Sequence, residues 1–81
     1  MSIDRMPDVL ATTGHRSHAS IYNAVKAGLF TRPVKIGQRS VGWPSDEVAA
    51  INGARIAGRS DAELRALVNE LHARRTQLKY I

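Results

Sequence analysis

Apolar residues recur along the chain with two periods, and the switch between them divides it into elements. "MPDVLATTG" predicts a short helix. Pro7 suits the first turn, where its missing N–H costs nothing, Asp8 complements the helix dipole, Gly14 suits a left-handed exit, and Val9 and Leu10 face inward. "RSHASIYNAVKAG" predicts a second helix capped by Ser17, with Ile21 and Val25 four apart on its inner face and Gly28 as terminator. A tight turn joins the two.

In "RPVKIGQRSVGW" the period changes to two. Pro33 biases Arg32 towards extended geometry, and Val34, Ile36, Val41 and Trp43 alternate with polar residues on either side of Gly37. This predicts a hairpin with an inward apolar face and a loop of three or four residues, Gly37 supplying the turn's conformational freedom. "WPSDEVAAINGARIAG" returns to helical spacing from Pro44 or Ser45, with Val48 and Ile51 on one side and Gly58 as a stop. "SDAE", Ser60 to Glu63, matches a capping box, and Leu64, Leu67, Val68 and Leu71 then form the clearest helical stripe, a fourth helix near residues 61–75. The expected fold is mainly α with a small β-hairpin: a winged helix-turn-helix plus a C-terminal helix. Residues 1–58 are expected to form the winged helix-turn-helix, and 59–81, the helix and tail, to belong to the same domain.

Length and composition narrow the function. At 81 residues the chain is one domain with a thin core. No apolar run approaches a membrane span, and "MSIDRMPDVL" lacks the pattern of a secretory signal. With no cysteine, disulfides and thiolate metal sites are excluded, and a reducing cytoplasm is the expected compartment. His15, His18 and His72 follow no metal-binding spacing. The acids Asp46, Glu47, Asp61 and Glu63 stand at helix starts, where they favour the dipole, and no phosphate-wrapping glycine motif occurs. No enzyme, cofactor or metal is expected.

Charge is uneven. Arg16, Lys26, Arg32, Lys35 and Arg39 lie between residues 15 and 43 with no acid among them, so the whole net charge of +5 is concentrated there. That concentration favours nucleic acid as partner, with an anionic membrane second, and two helices with a basic hairpin beside them point to double-stranded DNA. If Ile21 and Val25 face inward, a helical wheel turns Ala19, Asn23 and Lys26 outward, with Ser20 and Ala27 at the margin. Asn23 has the amide that can bond adenine in a bidentate way, and Lys26 suits a phosphate or guanine. Arg16, Ser17 and His18 stand at the helix start, where oriented N–H groups favour a phosphate. Lys35, Gln38, Arg39 and Ser40 belong to the hairpin, expected beside the duplex. Tyr22 and Trp43 read as core or core-edge aromatics.

"PDVLATTG", "SIYNAVKAGLF", "PVKIG" and "VGWPSDEV", in that order, resemble the AlpA family of phage and prophage regulators, over about residues 5–58. The resemblance implies a MerR-like winged helix-turn-helix shared with excisionases, with Ser17 to Ala27 as recognition helix and Pro33 to Trp43 as wing. It implies transcriptional regulation or the role of a recombination directionality factor, with a site-specific integrase or RNA polymerase as further partner and several copies side by side on DNA. Two departures are visible: Gly14 to Ile21 runs one residue longer than usual, and Ile51 stands where the family carries a tryptophan. An alternative, a protein-interaction or DNA-packaging adaptor, rests on the C-terminal stripe, which either closes the domain's own core or pairs with another copy.

Overall fold

The computed structural model describes residues 2–77. In chain order it contains β1 (Ile3–Arg5), α1 (Met6–Thr13), α2 (His18–Lys26), β2 (Val34–Lys35), β3 (Val41–Pro44), α3 (Ser45–Ile56) and α4 (Asp61–Gln77). Each expected helix forms. Asp8 accepts the Arg5 backbone N–H at 3.2 Å at the start of α1, and Gly14 closes it in the left-handed region at φ 78°. Ser17 caps α2 by accepting the Ser20 N–H at 3.2 Å. At α4 the capping box closes both ways, Glu63 N–H to Ser60 Oγ at 3.2 Å and Ser60 N–H to Glu63 Oε1 at 3.1 Å. The Ser60 N–H, above all, holds the Glu63 carboxyl below its ordinary pKa. Residues 78–81 of the tail lie outside the described residues.

The sheet has three strands in the order β1-β3-β2, both pairings antiparallel. The expected hairpin is present, and β1 joins its other edge, with Ile3 opposite Pro44 and Arg5 opposite Gly42. Nothing in Ile3-Asp4-Arg5 marks a strand, because it holds a single apolar residue; β3 supplies the order by offering it a ladder.

The hairpin's register corrects one expectation. Val34 pairs with Gly42 and Lys35 with Val41, and Ile36 N–H reaches Ser40 O at 3.0 Å, which leaves a three-residue loop, Gly37 to Arg39. Opposed residues in an antiparallel pair point to the same face. An odd loop therefore puts the two alternations out of phase: Val34 and Ile36 share a face with Gly42, while Lys35 shares one with Val41 and Trp43. Ile36 is consequently 40% exposed instead of core. Gly37 corrects another, since its φ is not positive. The glycine that the hairpin requires is Gly42, where a Cβ would collide with Ile3 Cγ2 and lie 2.9 Å from Asp4 O.

Behind the sheet, Trp43 is fully buried, and its Nε1–H donates to Thr31 O at 2.7 Å. Phe30 and Tyr22 approach it with ring centroids at 5.9 and 6.4 Å, and Met6, Val9, Ile21, Val48, Ile51, Val68 and Leu71 complete the core. Leu64, Val68 and Leu71 are buried and Leu67 half-buried, so the stripe that motivated an adaptor lies in the chain's own interior. Glu47 is more than a dipole acid. It is buried and bidentate with Arg75, Nε to Oε2 at 2.8 Å and Nη2 to Oε1 at 2.6 Å.

Adding a methyl at Gly42 should force β1 off β3: Gly42→Ala is expected to lose about 1–3 kcal/mol of stability in urea denaturation. Gly37→Ala should stay within about 0.5 kcal/mol of the parent, because a Cβ there meets only the Ser40 side chain, at ordinary distances of 3.7 and 3.9 Å. Equal losses at the two positions would contradict the register.

Candidate nucleic-acid interface

The turn from α1 to α2 is held by its own side chains. His15 Nδ1 bonds Ser20 Oγ, and Ser17 Oγ takes the Ser20 N–H, so both serines are engaged in fixing the direction in which α2 leaves. Ile21 is buried, and Ala24 and Val25 are half-buried against the core. The opposite side of α2 presents His18, Ala19, Asn23, Lys26 and Ala27 to solvent, with Ser20 half-buried at the margin. Arg16 is exposed in the turn just before the cap.

The wing supplies the second wall. Lys35, Gln38 and Arg39 are exposed and Ser40 is half-buried. An open cleft of about 340 Å³ separates the wing from the start of α2. His18 and Tyr22 line it from α2, Arg39, Ser40 and Val41 from the wing, and Arg5, Met6 and Pro7 from the junction of β1 and α1. Lys26 continues the ridge of His18 and Tyr22 in a further four-residue step, about 6 Å along the helix. Lys35, paired with Val41, stands on the face of the ribbon that borders the cleft. His18, Arg39 and Ser40 thus meet in one cleft, flanked by Lys26 and Lys35. Ala19 and Asn23 occupy the adjoining exposed rows of α2.

Among the lining residues that sequence reasoning missed, Arg5 and Tyr22 carry polar groups suited to a ligand. Arg5 sits in a stretch whose acids, Asp4 and Asp8, outweigh it, so averaging hid its charge. Tyr22 was read as a core or core-edge aromatic. It is 42% exposed, one side of its ring against Trp43 and the other towards the cleft. The only available signal was its place on the wheel, 100° from Ile21 and so between inside and outside.

The charges are free to meet an outside partner. Ion pairs among the described residues join Arg59 to Glu63, Arg74 to Glu70 and Arg75 to Glu47, all with bases of the C-terminal part. Arg5, Arg16, Lys26, Lys35 and Arg39 form none among the described residues, and no acid lines the cleft. No helix among the described residues is long and apolar enough to cross a membrane.

Two helices, a tight turn and a wing in this order are what a family comparison must match. The family model described as prophage CP4-57 regulatory protein (AlpA) matches residues 3–50, more than half of the chain. The chain belongs to the AlpA family. No curated protein and no solved structure matches it. The AlpA match runs from β1 into α3 and so takes in every residue lining the cleft, while α4 lies beyond it. Ile51, just past the end of the match, is 1% exposed in the core.

Because Ser17 is the cap of α2, Ser17→Ala should cost about 1 kcal/mol of stability in thermal or urea denaturation, whereas Ser17→Asp, which caps equally well, should keep the parent's stability. Full stability of the alanine variant would mean that the turn is held some other way.

Proposed function

We propose that this AlpA-family protein binds double-stranded DNA sequence-specifically as a prophage or mobile-element regulator, with no catalytic activity of its own. α2 lies in the major groove, and the wing rests on the flanking phosphates or minor groove. The observation that carries this reading is the shared cleft: Arg39 of the wing tip and Arg5 from β1, neither in an ion pair among the described residues, face the opening that the start of α2 lines with His18 and Tyr22.

Roles follow from chemistry. Asn23 reads adenine through its amide, a contact worth about 1–3 kcal/mol of discrimination. Ala19 and Ser20 border the same groove, Ala19 as a methyl surface for thymine. Arg5, Lys26, Lys35 and Arg39 neutralise phosphates, with Arg16, Ser17 and His18 at the oriented N–H groups of the helix start. Gln38 and Ser40 add neutral hydrogen bonds at the wing tip. Residues 1–58 form the binding unit, and 59–81 complete the same domain.

A duplex-binding protein of this size affects transcription by recruiting or excluding RNA polymerase, or affects excision by bending attachment-site DNA for an integrase. Both roles use the same surface, and both suit several copies on adjacent sites. Footprinting on DNA beside the protein's own gene and at the ends of any surrounding integrated element separates them: protection confined to a promoter indicates regulation, and protection at element ends indicates excision.

With about four phosphates neutralised, log K should fall with log salt at a slope near −3.6. Asn23→Ala should relax base preference and leave that slope alone, while Arg39→Ala should weaken binding to all sequences and flatten the slope by about one. An affinity indifferent to salt, or equal sequence-independent losses at both positions, would overturn the reading.

A further inference from the structure

The segment between α2 and β2, residues 27–33, sets the angle between helix and wing, and much of what grips it comes from α4. Arg65 Nε donates to Ala27 O at 3.0 Å. Arg32 N–H donates to His72 Nε2 at 3.1 Å, and Arg75 Nη2 donates to Arg32 O at 2.7 Å while bidentate with Glu47. Both polar groups of the Arg32 backbone, and the carbonyl at the end of the helix, are therefore satisfied from one element. In the middle, Trp43 Nε1 bonds Thr31 O. Leu64, Val68 and Leu71 bury the inner face of α4, which keeps the three gripping side chains in register.

We propose that Arg65, His72 and Arg75 of α4 are positioning residues for DNA binding: they hold the segment 27–33 so that α2 and the wing meet the duplex at one fixed angle. None of the three belongs to the cleft, and all lie beyond the family match. The inference rests on the DNA-binding reading and adds to it a cause of affinity that is not a contact.

His72 makes the grip sensitive to pH. Its Nε2 accepts the Arg32 N–H only when that nitrogen carries no proton. Burial, then the charges of Arg32 and Arg75, lower its pKa from the ordinary 6.5, against the opposing pull of Glu47. The unfolded chain consequently takes up the proton first as pH falls. The contribution of His72 is complete above 6.5 and is lost as the pH drops through 6.5 towards the lowered folded value.

The test compares the full-length protein with His72→Leu, which lacks the acceptor, and His72→Gln, whose side-chain carbonyl can take the same N–H. Binding to a short mixed-sequence duplex is measured at low salt, beside thermal denaturation and the emission of Trp43, the single tryptophan. His72→Leu should melt cooperatively yet bind about fivefold more weakly, the loss of one hydrogen bond, with an unchanged salt slope. His72→Gln should bind like the parent near neutral pH. As the pH falls below 6.5 and through the lowered value of the folded protein, the parent should lose affinity relative to His72→Gln, and its Trp43 emission should shift while that of His72→Gln does not. Contributions from groups that the two proteins share cancel in the ratio. A folded His72→Leu that binds as tightly as the parent, or a ratio that stays unchanged down to the lowest pH at which both proteins remain folded, overturns the inference while leaving DNA binding intact. A parent that binds no duplex removes the DNA reading and this inference together.

Discussion

The buried indole of Trp43 is the constraint on which the arrangement depends. It stands in the central strand with β1 on one side and β2 on the other, its ring meets Phe30 and Tyr22, and its N–H fixes Thr31 O. One side chain thereby ties α2, the segment after it and the wing to a common core. In a domain so small, burying a large aromatic and satisfying its donor adds rigidity that a set of smaller residues supplies less well. The meeting of Arg5 and Arg39 at one cleft is a result of that core, since the two are far apart in sequence and are brought together by packing behind them.

The division of charge follows the same layout. In the C-terminal part acids and bases pair with each other, on the surface of α4 and in the buried Glu47–Arg75 contact. A surface pair contributes little to stability, but each one removes a charge from the molecule's outer field. Arg5, Lys26, Lys35 and Arg39, in or beside the cleft, form no such pair among the described residues, so their charge stays available to an outside partner. α4 contributes by holding the frame, and the face carrying the free cations is left to the helix-turn-helix and wing.

Much of this was legible in the sequence because helix ends are written locally. Ser17, Gly14 and the Ser60–Glu63 box each act within three or four residues of themselves, and the stripe of α4 repeats on one helix. Three features were not legible, each for a physical reason. β1 has no pattern of its own and exists because β3 presents a free edge. The phase of the hairpin depends on whether its loop holds an odd or even number of residues, and alternation within each strand is silent about that. The Glu47–Arg75 pair spans 28 positions, so Glu47 looked like any acid in a first turn. At the candidate interface the charged segment pointed to the right region, but Arg5 and Tyr22 reach the cleft through strand pairing and ring packing that no local rule describes.

The most direct measurement of the central claim is the map of backbone amide shifts by nuclear magnetic resonance as a duplex is added to the labelled protein. Shifts should gather at Arg5, at Arg16 to Lys26 and at Lys35 to Ser40, tracing one continuous face around the cleft. Shifts confined to the exposed side of α4, or to the outer sheet face at Ile3 and Ile36, would contradict the account, because DNA would then be meeting a surface that the core does not assemble.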